Sequence, residues 1–197
     1  MNENFVYRYG NSLYINLTNK CSNACDFCIR NNGDGIGDSG NLWLDREPNA
    51  EEVIERITAF DNFCELVFCG YGEPTYKIDE LVKVAKYAKE RGIKTRLNTN
   101  GHGNLINGYD ITEKLDGLLD IVSISLNGHT AEKYDEVCHS VYGLDGFTAM
   151  LEFAKKCVER GIETVMSVVN IGDIDIKKCR ELALSLGATL KVREYIE

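Results

Sequence analysis

Three cysteines stand close together in "NKCSNACDFCIRNN" (residues 19–32): Cys21, Cys25 and Cys28, spaced C-x-x-x-C-x-x-C. Thiolates bind zinc or iron–sulfur clusters, so the spacing must discriminate. A structural zinc site pairs two close cysteines with a distant pair of Cys or His. No second C-x-x-C and no H-x-x-x-H occurs, and His102, His129 and His139 are scattered; Cys69 would be a fourth ligand only if folding brought it there. Three close thiolates instead suit three irons of a cubane cluster and leave the fourth iron without a protein ligand. An open position of that kind is what a catalytic metal keeps and a structural one fills. Eight cysteines without an export signal are unsuited to structural disulfides, and the spacing of the other five is loose; Cys157 and Cys179 sit in helical patterns as small buried hydrophobes.

The elements that must position the cysteines alternate. Strand-like runs "SLYINLT", "CELVFCG", "IKTRLNT", "DIVSISLN", "ETVMSVVN" and "LKVREYI" are separated by helical periodicity over 49–61, 77–91, 111–118, 130–160 (broken near "VYGLDG") and 173–187. Gly92, Gly161 and Gly187 are placed to close helices, and Asp79 and Glu80 are placed to pair with Lys83 within one helix. Six strands with intervening helices predict right-handed parallel βαβ units. The strands are apolar on one side only. Leu13, Ile15 and Leu17 oppose Tyr14, Asn16 and Thr18; Val122, Ile124 and Leu126 oppose Ser123, Ser125 and Asn127; Leu190, Val192 and Ile196 oppose Lys191, Arg193 and Tyr195. A parallel strand covered on both faces reads continuously apolar. The predicted fold is therefore α/β, a partial (β/α)6 TIM-like barrel with helices on its outer face and a polar interior; a doubly wound sheet is the alternative. One domain over 1–197 is expected.

Net charge is −9, 44% of residues are hydrophobic and 27% charged, and no dense basic run is present. A polynucleotide substrate is disfavoured, because phosphate neutralisation supplies most of such affinity. The start "MNENFVYRYG" lacks a signal pattern and no apolar run would span a bilayer; a cytoplasmic, non-membrane protein is expected.

C-x-x-x-C-x-aromatic-C, with Phe27 before the third cysteine, resembles the signature of radical S-adenosylmethionine (radical SAM) enzymes. "FCGYGEP" (68–74) resembles the family's Gly-Gly-Glu-Pro motif, with Tyr71 standing between the glycines, and "LNTNG" and "SISLN" resemble its third and fourth strand ends. The finer pattern, "CDFCIR", "LWLDREP", "FCGYGEPT", "RLNTNG", "ISLN" and "VREYI", is similar to the TatD-associated radical SAM proteins, a name that reports gene neighbourhood rather than a reaction. The resemblance implies that Cys21, Cys25 and Cys28 hold a [4Fe–4S] cluster and that S-adenosylmethionine chelates its open iron. One electron, from a donor such as flavodoxin or ferredoxin, would then release a 5′-deoxyadenosyl radical that abstracts hydrogen from a substrate not identified by the sequence. It further implies cofactor contacts from Gly70, Tyr71, Gly72 and Glu73, from Asn98 and Asn100, from Ser123, Ser125 and Asn127, and from Phe27 near adenine. The same residue types also suit plain turns. Arg193 is a candidate for the cofactor or for a substrate carboxylate or phosphate, with an internal ion pair as its alternative; Lys191 and Arg96 are weaker candidates of the same kind. "NNGDGIGDSGN" (31–41) is read as a mobile lid, since neither a dinucleotide fingerprint nor an EF-hand fits it. A second iron–sulfur domain, as in some peptide-modifying relatives, is not expected. Two alternatives remain: a glycyl-radical-type activase acting on a partner protein, and a zinc- or cluster-bearing interaction module without enzymatic activity.

Overall fold

The computed structural model describes residues 2–195. Its single sheet runs β1 (Val6–Tyr9), β2 (Ser12–Ile15), β3 (Glu65–Phe68), β4 (Lys94–Thr99), β5 (Ile121–Ser125), β6 (Glu163–Asn170) and β7 (Thr189–Glu194), each paired with its neighbour in sequence. β2 to β7 are the six predicted parallel strands. β1 is an addition, antiparallel to β2 with Val6 opposite Ile15. Gly10, at φ +59°, gives the positive φ that such a two-residue turn needs. Ile196 lies outside the described residues.

Among the described residues seven α-helices follow the strands: α1 (Ala50–Ile57), α2 (Ile78–Glu90), α3 (Gly103–Asn107), α4 (Thr112–Leu115), α5 (Ala131–Cys138), α6 (Leu144–Glu159) and α7 (Ile176–Ser185). α1 starts on a capping box, in which Asn49 Oδ1 accepts from Glu52 N at 2.9 Å and Asn49 N donates to Glu52 Oε2 at 3.0 Å. Gly92, Gly161 and Gly187 lie at φ +67°, +73° and +79° just beyond α2, α6 and α7, as expected. The intrahelical pairs to Lys83 do not form. Lys83 pairs with Glu51 of α1, Asp79 with Lys114 of α4, and Glu80 with Lys77, because the polar flank of α2 faces other elements.

The helices cover one face of the sheet. Val53, Leu81, Val84, Phe153 and Cys157 pack on Leu13, Ile15, Phe68, Leu97, Val122, Ile124 and Met166, all buried. The other face curls around a cavity of about 400 Å³. β1 and β7 are the two ends of the strand order, yet Tyr7 and Tyr9 from one and Arg193 from the other line that cavity. The sheet is thus a partial barrel with a partly polar interior. A second cluster, centred on Tyr7, Leu42 and Tyr71, packs on this inner side. Among the described residues no helix is long and apolar enough to cross a membrane.

Candidate active site

The cysteine loop leaves the C-terminal end of β2 and is braced from three directions. Glu73 N donates to Lys20 O at 2.7 Å, holding the turn after β3 against the loop's start. Ala24 N and Asp26 N donate to the carbonyls of Cys138 and Val137 at the end of α5, and Val141 N donates to Ser22 O. From beneath, Asn100 Nδ2 donates to Ser22 Oγ at 2.8 Å and lies 3.8 Å from Cys21 Sγ.

Gly70 and Gly72 are required by this bracing. A Cβ on Gly72 would stand 2.3 Å from Thr18 O and 2.6 Å from Lys20 O, and one on Gly70 would stand 2.0 Å from Asn16 Oδ1. The sequence reading gave these glycines to a cofactor; their first duty is to let two chain segments touch. Glu73 takes part in the same bracing. Its buried carboxylate accepts from Thr75 N (3.1 Å), Thr75 Oγ1 (2.8 Å), Thr99 Oγ1 (2.8 Å) and Asn100 N (2.7 Å), so it ties the end of β3 to that of β4. Burial raises its pKa, and these donors act against the rise. Asn100 is likewise engaged, accepting from His102 N at 3.0 Å. Asn127, at φ +49°, accepts from Val169 N at 3.1 Å and donates toward Cys138 Sγ at 3.8 Å.

The polar network continues under the loop through a residue to which the sequence reading gave no role. His102 is fully buried between Ser22 Oγ (3.0 Å to Nδ1), Gly146 O (3.1 Å to Nε2) and Tyr134 OH (3.1 Å to Nε2). A carbonyl only accepts, so Nε2 carries the proton and Nδ1 accepts from the Ser22 hydroxyl. Tyr134 OH in turn accepts from Asn23 Nδ2 at 3.0 Å. Only burial, invisible in sequence, marks His102 out.

The three thiols are unequal. Burial pushes Cys21 up to about 11, with the Glu73 charge adding to the rise and Asn23 N and Arg30 opposing it. Burial also raises Cys28, against Arg30 and its amide. Cys25 is lowered, first by a hydrogen bond from the Cys138 thiol, then by Asn23, with Arg30 helping. Arg30 thus offsets developing thiolate charge at all three, and its place two residues after the third cysteine was the available signal. Three thiols on one loop beside a guanidinium and side-chain donors fit an anionic iron–sulfur cluster. Among the described residues no three His, Cys, Asp or Glu side chains gather as ligands of a single ion; thiolates on three corners of a cubane each take their own iron and need no common point.

Phe27 and Ile29 of the loop line the cavity, and so do Cys69 and Asn98. Asn98 Oδ1 is buried without a hydrogen-bond partner, which leaves an acceptor for a ligand. Ser123 and Ser125 face the same side; Ser123 Oγ lies 3.5 Å from Arg193 Nη2. Tyr71 does not enter the cavity. Its ring meets Trp43 edge-on at 5.0 Å and its hydroxyl donates to Gly33 O at 2.8 Å, fastening the glycine-rich loop. That loop is also closed by Leu42 N to Asp34 O at 2.6 Å and places Ile36 on the cavity. Arg96 takes the ion-pair alternative, with Glu65 at 2.8 Å, and Lys191 is exposed.

The Radical SAM superfamily profile matches residues 15–184. An uncharacterized protein of Methanocaldococcus jannaschii is 28% identical over 173 residues, 87% of this chain and 52% of that protein. The Fe-coproporphyrin III synthase of Methanosarcina barkeri is 30% identical over 155 residues, 75% of this chain and 34% of that one. The chain therefore spans about half and about a third of these two relatives. The structure of Streptococcus suis SuiB bound to S-adenosylmethionine superimposes with a TM-score of 0.70 at 19% identity, over 96% of this chain and 41% of that chain, and so shares its fold.

Proposed function

The chain belongs to the radical SAM superfamily, an enzyme family that uses a [4Fe–4S] cluster and S-adenosylmethionine, and from that premise we propose that it abstracts hydrogen from a substrate held in the barrel cavity. The observation that carries this reading is the loop of Cys21, Cys25 and Cys28, braced at the C-terminal end of β2 with Phe27 and Ile29 turned onto the cavity. When bound, cluster and cofactor together supply a one-electron reductive cleavage of the sulfonium, giving methionine and a 5′-deoxyadenosyl radical.

The chain's own residues have distinct tasks in this proposal. Cys21, Cys25 and Cys28 would hold three irons, and Arg30 favours their thiolate forms. Gly70 to Gly72 would offer backbone atoms to the cofactor, with Asn98 and Ser125 as side-chain contacts, while Ser123 faces Arg193 deeper in the barrel. Glu73, Asn100 and Asn127 hold the turns on which those contacts stand. Phe27, Ile29 and Ile36 keep water from the space below the loop, which protects a radical from side reactions. A low-potential donor such as flavodoxin or ferredoxin would deliver the electron. Within the superfamily the "LWLDREP" and "VREYI" segments favour the TatD-associated group.

The test is anaerobic reconstitution with iron and sulfide, reduction by dithionite, EPR with and without S-adenosylmethionine, and assay of 5′-deoxyadenosine. The expected result is a reduced-cluster signal that S-adenosylmethionine perturbs, with 5′-deoxyadenosine formed by the wild type and absent in Cys25→Ala. Stable bound zinc, or a cluster blind to S-adenosylmethionine, would refute it.

A further inference from the structure

Two arginines project from the inner face of the sheet, and they are treated differently. Arg96 is neutralised by Glu65 at 2.8 Å, which Ser12 Oγ also bonds. Arg193 is half-buried, and among the described residues its one hydrogen bond is to the neutral Ser123 Oγ at 3.5 Å. Among the described residues no carboxylate lies within ion-pair distance of it; the adjacent Glu194 is exposed. A guanidinium in a partly desolvated space without a counter-charge is unfavourable, and an anionic ligand removes that cost.

The walls around this charge are aromatic. Tyr14 stands 5.4 Å from Tyr7 and 5.7 Å edge-on from Tyr9, and Phe27 closes the cavity on the cysteine side. A cavity of about 400 Å³ is of small-molecule size. We propose that the substrate is a small molecule with a flat apolar or aromatic body and an anionic oxygen group, and that Arg193 binds that anion while the tyrosines flank the body. The planar fork of Arg193 suits carboxylate and phosphate alike.

S-adenosylmethionine carries a carboxylate of its own, but the position of Arg193 favours the substrate. Although the strand register sets Arg193 beyond Lys191, which is level with Ser125, its guanidinium turns back to Ser123 in the middle of β5, away from the strand ends that carry the cysteines and the glycine turn. Its charge also acts on Tyr14 of the cavity wall, opposing the rise that burial causes there. The inference rests on the radical SAM reading, since it is that reading which makes the cavity a substrate site.

The test uses reconstituted holoenzyme with S-adenosylmethionine present and measures binding of benzoate, phenyl phosphate and the uncharged isostere benzamide by calorimetry and ligand-observed NMR. At least one anion is expected to bind about tenfold or more tighter than benzamide. The tighter of the two identifies the oxygen group. Arg193→Met should abolish that preference, and Arg193→Lys, which keeps charge but not the fork, should retain part of it. Binding of benzamide equal to that of both anions overturns the proposal, and that comparison needs no variant to fold. Anion binding unchanged in Arg193→Met also overturns it. A loss of S-adenosylmethionine affinity as large as the loss of anion affinity would make Arg193 a cofactor contact and would likewise overturn it. None of these results bears on the cluster's EPR response, which decides the radical SAM reading separately.

Discussion

Lowering the pH should destabilise this protein through one buried side chain. His102 has no exposed surface, and burial pushes its pKa down to about 4, the Gly146 carbonyl only partly opposing the shift. In the unfolded chain the same imidazole titrates near ~6.5. The folded value is therefore the lower one. Stability is fully present above pH ~6.5 and falls as the unfolded state takes up a proton that the folded state refuses, until pH ~4. At pH 5 the unfolded imidazole is almost wholly protonated and the folded one almost wholly neutral. The linkage integral between pH 7.5 and 5 is then about 2 kcal/mol, rising toward about 3 kcal/mol below pH 4. The assay compares urea unfolding of wild type and His102→Gln at the two pH values, since glutamine keeps a donor and an acceptor but does not titrate. The wild type should lose about 2 kcal/mol more than the variant. In ¹⁵N-histidine spectra His102 should remain the neutral Nε2–H tautomer down to about pH 5. Equal pH slopes, or a His102 titration near 6.5, would refute the argument.

Two further outcomes follow from packing. Gly72→Ala forces a Cβ against two backbone carbonyls and should cost about 3 kcal/mol in urea unfolding, with reduced iron retention after reconstitution. Gly92→Ala, at φ +67° with nothing within 4 Å, should cost only about 1 kcal/mol and leave iron content intact; equal losses would show that the Gly72 contact does not matter. Glu73→Gln can keep one oxygen toward the three donors from Thr75 and Thr99, but its amide must then face Asn100 N–H. A loss of about 2–3 kcal/mol in thermal or urea unfolding is expected, and a neutral result would mean that the buried carboxylate is not ionised.

The helix-covered half of the fold was legible because burial on one face imposes a period of two on strands such as Val122, Ile124 and Leu126. The hairpin strand β1 was not legible, although "VYRYGNSLY" carries a Gly-Asn turn between two strand-like runs, because its four residues bury Val6 and Tyr7 and expose Arg8 and Tyr9 and so show no period of two. The cysteines, and Phe27 beside them, were readable from spacing. The duties of Glu73, Asn100 and Asn127 were not, since a polar residue at a strand end points inward whether it serves a ligand or a neighbouring turn. His102, Tyr134 and Cys138 could not be found at all, because they matter only through contacts across tens of residues. Tyr71 looked like a cofactor contact from its place between two glycines; its partners, Trp43 and Gly33, are made available by a loop whose path the sequence does not specify.

The neighbour-to-neighbour strand order also divides the chain into an older and a younger part during synthesis. The direct braces of the cysteine loop, from Lys20 to Val141, are made before β6 begins at Glu163, and β6 adds only the bond from Val169 N that holds Asn127. β6, β7 and the residue after β7 then contribute Val169, Arg193 and Tyr195 to the cavity lining. A nascent chain would finish its cluster cradle first and its selectivity wall last. Exchange of the final two strands between such proteins would then change what is chosen while the cradle is inherited whole.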